Sequence, residues 1–423
     1  MDPQTLAQMR ADWNARASED ANYYVAFGRR EQDDEEFFAT AGDVLRDLES
    51  QLPRLPGRDA ALEIGCGPGR LLRPMSRHFG EIHGVDVSDE MIRLATERLR
   101  DTPNAHPHHG SGAGLELFSD NHFDLVYSYA VFQHIPSRDV VFRYLAEAHR
   151  VLKPGGVLRC QLNGLPPHAR QYDTWSGVRV TPGEVAQFAR ESGFQLLALD
   201  PIWTQYMWIT CRKRGAGTPP DAGPARIRNI TNAITGEAAA PVTGPMAALS
   251  LWIENLPSGC DLNSLAIGAD GRACRVSYVG EPAHDRVTQV NAALPEGVRT
   301  GLVAVEAFID GQPLCPSAWV RIIPAGPPTP HVASIGDGVN LISGSVVASG
   351  MLKAVLVEVE RADEFRAAFD EQPVKDIDAF CVDPLFQRYE FNFPVPPGVT
   401  RGRHEIRMWL GRRAFAPVVV EVL

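Results

Sequence analysis

The stretch Leu62-Glu63-Ile64-Gly65-Cys66-Gly67-Pro68-Gly69-Arg70 decides how this chain reads. It ends a short apolar run, Ala60 to Cys66, of the kind that forms a buried strand. Gly65, Gly67 and Gly69 permit a tight turn and let a ligand approach the backbone closely. A helix is expected to follow over 68–79, and its N-terminus offers unpaired N–H groups to an anionic group. A dinucleotide fingerprint, G-x-G-x-x-G, would need glycine at position 70, where Arg70 stands. The spacing here is G-x-G-x-G.

Working outward, strands and helices alternate. Residues 81–87 read as a second strand closing on Gly84-Val85-Asp86, and a carboxylate at that place can accept two hydrogen bonds from a ribose diol. A helix over 88–100 opens on Ser88 as its cap, with Met91 close behind. The loop Gly110-Ser111-Gly112-Ala113 precedes a strand over 122–131 that runs into Phe132-Gln133-His134. A helix over 137–152, the tight turn Lys153-Pro154-Gly155-Gly156 and a strand over 157–164 follow. Thr181 caps a helix over 181–194 with Pro182 in its first turn, and 194–203 and 204–213 read as a closing strand pair. Before the glycine stretch, helices are expected over 2–17 and 34–52, the second ended by Pro53 and Pro56. Such alternation argues a mostly parallel α/β sheet covered by helices on both faces.

Five features in this order resemble the class I S-adenosylmethionine-dependent methyltransferases, in their small-molecule branch. They are the glycine stretch, the acid at 86, the 110–113 loop, the strand end Tyr129 to His134, and Lys153-Pro154-Gly155-Gly156. The resemblance covers 1–213, half the chain. It implies S-adenosylmethionine as cofactor and S-adenosylhomocysteine as product. By the resemblance Glu63, Gly65, Gly67 and Gly69 line the methionine part, and Asp86 holds the ribose hydroxyls. Val87 and Met91 lie beside the adenine, Gly112 and Ala113 approach its ring, and Tyr129 meets the methyl donor. Many relatives carry Asp near Ser111 to bind the adenine amino group, and this chain departs from them there.

Methyl transfer from a sulfonium is a displacement with a good leaving group, so the protein mainly aligns nucleophile, methyl and sulfur. His134, just past the strand, is the candidate base, with an ordinary pKa of about 6.5; the bland alternative is a loop cap before Pro136. Tyr23 and Tyr24 sit in a segment that either folds over the pocket or packs on the core. There Tyr24 would face the sulfonium and Tyr23 the substrate. Gln133, Asn163, Tyr172 and Trp175 complete the substrate candidates, Trp175 in a long loop suited to a lid. Tyr206 and Trp208 alternate with Met207, so at least one face of that strand packs inward. His106, His108 and His109 are taken to flank a surface strand, because no acidic or thiol partner for a metal can be placed from the sequence.

The remaining properties narrow the field. Residues 1–215 carry 24 Lys and Arg against 29 Asp and Glu, and the rest carry 17 against 23. Neither half is basic, which disfavours nucleic acid as the substrate. No Asn-Pro-Pro-Tyr-like motif follows the 122–131 strand, which argues against amino methylation of bases or glutamine. Seven scattered cysteines, odd in number and without a CxxC pair, suggest neither disulfides nor zinc. No apolar window long enough to span a membrane occurs, and the polar, acidic N-terminus does not have the layout of a secretory signal. A cytoplasmic protein is expected.

Beyond the Gly/Pro-rich stretch at 215–225, helical periods nearly vanish and short apolar or alternating runs recur between turns. A second proline cluster at 325–330 divides them. The expected architecture is a Rossmann-like, seven-stranded α/β methyltransferase domain with an N-terminal helical cap over 1–214, then two all-β immunoglobulin-like sandwiches over 226–324 and 331–423. The sandwiches are expected to dimerise an enzyme acting on a small-molecule acceptor, or to bind a polymer such as a glycan. Trp252, Trp319 and Trp409 are candidates for sugar stacking, although core packing is the expected place of each. The competing readings are a cofactor-sensing scaffold and a protein methyltransferase.

Overall fold

The computed structural model describes residues 3–26, 30–168, 171–215, 223–326, 330–338, 345–383 and 387–423. Two compact units divide the chain: Met1–Glu19 with Ala41–Gly326, and Asp20–Thr40 with Pro327–Leu423. The first helix, α1 (Pro3–Ala26), leaves helical geometry at Asp20, where the units divide. Parts of the linker regions expected at 215–225 and 325–330 lie outside the described residues.

In chain order come α2 (Asp34–Ala39), α3 (Gly42–Glu49), β1 (Ala60–Ile64), α4 (Leu72–Met75), β2 (Glu81–Asp86), α5 (Asp89–Arg98), β3 (Ala105–His109) and β4 (Phe123–Ser128). Then follow α6 (Arg138–Val151), β5 (Leu152–Leu162), α7 (Pro182–Ser192), β6 (Phe194–Asp200) and β7 (Met207–Lys213). The strands lie in the order β3-β2-β1-β4-β5-β7-β6. Pairing is parallel from β3 to β5, and β7 runs antiparallel to both β5 and β6. Leu62 and Val126 face a core built with Val141, Leu145 and Ala148 of α6 and Val185 of α7. Ala61 and Leu125 face a second core with Val44 and Leu48 of α3 and Ala95 of α5. A strand buried on both faces has no solvent side, which is why β1 and β4 read as mostly apolar runs, broken by the buried Glu63, Asp124 and Ser128. Strand order reverses between β1 and β4, so the crevice for a ligand opens at their C-terminal ends.

Two expected helices are shorter than their sequence suggests. The one expected over 68–79 is α4 followed by a 3-10 turn over Ser76–His78, because the glycine turn runs on through Gly69 at φ +88°. The one expected over 34–52 is two helices, and the Thr40 hydroxyl donates to the Phe37 carbonyl where they part. Ser88 and Thr181 cap as expected, the Ser88 side chain accepting from Met91 N–H and the Thr181 side chain from Glu184 N–H.

The first unit continues into strands β8 (Arg226–Asn232), β9 (Ala239–Pro241), β10 (Ala248–Glu254), β11 (Leu265–Ala269), β12 (Arg272–Val279), β13 (Val287–Ala293), β14 (Gly301–Ile309), β15 (Gln312–Pro313) and β16 (Ala318–Ile323). Leu249, Leu251, Ile267, Val290, Val305 and Ile322 share one core there. This β segment joins the α/β sheet through one pairing, Tyr278 of β12 with Ala198 of β6. Around the join, the Gln195 amide donates to the Ser258 and Cys260 carbonyls, and Arg214 pairs with buried Asp261 at 2.9 Å. A polar cavity of about 440 Å³ lies at this junction, lined in part by Asp47, Arg159, Asp200 and Tyr278.

In the second unit, β17 (His331–Asp337), β18 (Val346–Val347), β19 (Met351–Val357), β20 (Phe365–Phe369), β21 (Gln372–Pro373) and β22 (Asp378–Asp383) precede β23 (Arg388–Pro394), β24 (Gly402–Leu410), β25 (Arg413–Ala414) and β26 (Val418–Val422). They form two sheets, β17-β19-β23-β22 and β18-β26-β24-β20-β21, with β25 paired to β24. Both sheets contribute to one core that holds Leu352, Leu356, Phe369, Phe393 and Met408, with Phe365 stacked 3.9 Å from Phe391. Among the described residues no helix is long and apolar enough to cross a membrane.

Candidate functional site

The glycine turn is held by strand β2. Gly65 and Cys66 N–H donate to the Val85 carbonyl at 2.7 and 3.0 Å. Gly67 N–H donates to one oxygen of Asp86 and Ser88 N–H to the other, both at 2.9 Å. A carboxylate offers about four lone-pair sites. The Gly67, Ser88 and Val87 amides use at most three, so the carboxylate keeps acceptor capacity for a ligand hydroxyl. Burial pushes the Asp86 carboxyl up, against the hydrogen bonds from Ser88, Gly67 and Val87. The sequence reading of Asp86 therefore gains a second role, as the clamp that fixes the turn.

Glu63 ends β1 fully enclosed and pairs across the sheet with Tyr127, whose hydroxyl donates to it at 3.1 Å. Burial raises its carboxyl well above the usual carboxylate range, and Tyr127 and the Arg70 guanidinium offset this only in part. Arg70 is itself buried and lies over the Tyr129 ring at 5.5 Å. On its other side Tyr129 stacks 5.8 Å from Trp208, which packs under Arg159. Trp208 therefore belongs to a pair of stacked rings, each with a guanidinium over it, while Tyr206 on the neighbouring turn is exposed.

The adenine-side candidates sit together. Gly110 N–H donates to the Asp86 carbonyl, Gly112 has φ +80° against Val87, and Ala113 and Met91 are buried. Ser111 donates to Glu116 at 3.1 Å and accepts from Ala113 N–H, so it braces its own loop.

Residues 3–19 of α1 lie over this edge through side chains that the sequence does not single out. Met9 enters the core beside Val85 and Ala113. Asn14 accepts from the Ser88 hydroxyl at 2.7 Å and from Glu90 N–H at 3.2 Å, so the helix is bonded to the cap of α5. Arg16 donates to the Thr174 carbonyl, and the Thr174 hydroxyl donates to Asp12. The helix and the 171–177 loop thus close on each other, above His134. Trp13 meets the His134 ring at 5.3 Å and Trp175 at 6.3 Å. Trp175 is otherwise exposed, with Arg16 over its face.

His134 is buried and follows Gln133, whose amide lies 3.3 Å from its Nε2, while Nδ1 has no hydrogen-bond partner. Burial, and then Arg16, push its pKa down to about 4, against the backbone of Thr174 and Trp175. Asn163 holds the same loop through the Gly177 carbonyl and Leu165 N–H, and the Tyr172 hydroxyl bonds to the His168 backbone. Tyr23 and Tyr24 belong to the second unit, stacked edge-on at 5.2 Å with Arg30 over Tyr23.

A buried histidine held neutral has a consequence for stability. The unfolded chain binds a proton near pH 6.5, while folded His134 and His83, both lowered to about 4, do not. Between those pH values the unfolded state binds more protons, so stability is full above 6.5 and falls towards pH 4. His134 alone accounts for roughly 3 kcal/mol over the whole window. Denaturant titrations at pH 7.5 and 5 should show the loss, and His134→Gln should remove much of it. An unchanged difference in that variant would mean His134 is not held neutral.

With this geometry in view, comparison with known proteins is direct. Residues 61–156 match the family model described as a methyltransferase domain. The N-terminal half carries a class I S-adenosylmethionine-dependent methyltransferase domain. S-adenosylmethionine is the cofactor of this domain. Over 168 residues the chain is 29% identical to phosphoethanolamine N-methyltransferase 2 of Caenorhabditis elegans, covering 38% of each protein. It is 37% identical over 122 residues to trans-aconitate 2-methyltransferase of Afipia carboxidovorans, covering 28% of this chain and 43% of that one. With ubiquinone biosynthesis O-methyltransferase of Cereibacter sphaeroides it shares 27% over 178 residues, or 38% and 68% of the two. A solved DhpI–S-adenosylhomocysteine complex matches 51% of this chain and 99% of its own at 19% identity and a TM-score of 0.38. The first two relatives are thus each spanned for less than half their length.

Proposed function

We propose that this methyltransferase domain moves the methyl group of S-adenosylmethionine to an oxygen, nitrogen or sulfur of a small molecule by direct displacement. The observation that carries the reading is the Asp86 carboxylate, fixed by the Gly67 and Ser88 amides with acceptor capacity left for a ligand hydroxyl. Glu63 and Gly65 to Gly69 would take the methionine part beside it, and Val87, Met91, Gly112 and Ala113 the adenine. The acceptor would enter between Tyr129, Gln133 and His134, under the cover made by residues 3–19, Tyr172 and Trp175. Alignment of the reacting groups can supply roughly 7–11 kcal/mol of the barrier. The chain's own contribution beyond that is to exclude water and to offer the neutral His134 imidazole to the acceptor's proton. The small-molecule activities named for the relatives, on a phosphoethanolamine, a carboxylic acid and a quinone precursor, favour the same class of acceptor. A cytoplasmic location and a homodimer through immunoglobulin-like β domains belong to this reading. Trp252 and Trp319 are exposed rather than in the core, which keeps partner binding by the first β segment within it.

Calorimetric titration with S-adenosylmethionine and then S-adenosylhomocysteine is the first test, and micromolar binding of both is expected. An acceptor screen with labelled methyl donor follows. His134→Ala should lower kcat with little change in cofactor affinity. Because His134 is held neutral down to about pH 4, the wild-type rate should be flat from pH 6 to 9 and fall only at more acid pH. Absence of cofactor binding, or full turnover in the variant, would refute the respective assignments.

A further inference from the structure

The histidine-rich strand β3 has an acidic partner after all. Parallel pairing sets His83 of β2 opposite His106 of β3, with His108 two residues on along the same face. Glu81 precedes His83 by two residues and shares that face, and His122, just before β4, reaches it from across β1. Glu81 Oε1 lies 3.1 Å from His122 Nε2, and Glu81 Oε2 lies 3.6 Å from His83 Nε2. One ligand atom from each of Glu81, His83 and His122 falls within 4.8 Å of the other two.

We propose that Glu81, His83 and His122 form a binding site for a divalent ion of the zinc type, separate from the cofactor crevice.

Zinc bonds to imidazole nitrogen and carboxylate oxygen are about 2.0–2.2 Å long, which makes the edge of a tetrahedral site about 3.3–3.6 Å. The two measured separations, one to each oxygen of Glu81, lie near that edge, and one ligand atom from each residue already lies within 4.8 Å of the others. The tautomer is also prepared. His83 Nδ1 lies 2.9 Å from His108 Nε2. If Nδ1–H donates there, the Nε2 lone pair faces Glu81, and that buried Nε2 has no hydrogen-bond partner. An outer acceptor that orients a ligating imidazole is a regular feature of metal sites. The rings of Phe118 and Phe123 wall the group at 5.4 and 5.6 Å from His83, which limits water on that side. Water completes the fourth position. The ion would join β2 to the turn entering β4, bracing the two strands whose far ends carry Asp86 and the 129–134 turn.

The test is titration of the tag-free, chelator-treated full chain with Zn²⁺ alone at pH 7.5. One saturable site per chain is expected, with a Tm that rises with ion concentration. Glu81→Gln and His83→Ala should abolish saturable binding. His108→Ala, which removes no ligand, should weaken it by about 10–100-fold. His78→Ala, at a separate His78–Glu49 pair, should leave it unchanged. Co²⁺ in place of Zn²⁺ should give the visible spectrum of a four-coordinate nitrogen–oxygen site without a thiolate charge-transfer band. Thermal melts without metal check that each variant is folded. Binding that persists in both folded ligand variants, a thiolate band, or no saturable site would each overturn the proposal.

Discussion

Asp86→Ala is expected to fold and to bind S-adenosylmethionine roughly 100- to 10,000-fold more weakly than the wild type. The estimate rests on two charge-assisted hydrogen bonds to a diol, each worth about 1.5–3 kcal/mol. A second loss adds to it. Gly67 and Ser88 N–H both donate to this carboxylate, so its removal frees the turn that the cofactor must lie along. Asp86→Asn separates the two contributions. The amide keeps one acceptor oxygen for Gly67 or Ser88 but loses the charge, so it should fall between wild type and alanine. Calorimetry with S-adenosylmethionine and S-adenosylhomocysteine reads both variants. Both ligands should weaken alike, since the ribose is common to them. Unaltered affinity in Asp86→Ala would remove the ribose assignment altogether.

What the sequence made legible was mostly local. The glycine turn, the acid at the end of β2, the Ser88 cap and the Thr181 capping box are each encoded within a few residues. Their geometry follows from backbone requirements that neighbours alone satisfy. The cover over the site was not legible in the same way. Asn14 bonds to Ser88 across 74 positions and Arg16 to Thr174 across 158, and no periodicity links residues so distant. The only signal was an asparagine, an arginine and a tryptophan inside an otherwise ordinary helix. The histidines show the same limit. His106 and His108 were visible as a cluster, but their surroundings depend on the register of β2 against β3. Glu81 and His122 come to one point only because β1 separates β2 from β4 in the sheet. His134 was picked out by position, while its lowered pKa required the Trp13 and Trp175 rings to be placed around it.

Gly65→Ala should cost about 2–5 kcal/mol of stability and abolish detectable cofactor binding. Two separate causes contribute. Gly65 has φ +73°, a conformation that costs an L side chain about 1–2 kcal/mol. A methyl group there would also lie 2.3 and 2.6 Å from the two Cγ atoms of Val131. Val131 is β-branched and stiff, and it follows Ala130, which itself has φ +58°, so neither side can yield cheaply. Relief of such overpacking is worth about 1–3 kcal/mol. The double variant Gly65→Ala/Val131→Ala should therefore recover that part of the stability and leave the backbone part lost. A double-mutant cycle by urea unfolding measures the coupling directly. No coupling would mean that the turn after β4 does not press on the glycine turn. In that case the close approach of β1 and β4, on which the shape of the crevice depends, would be wrong.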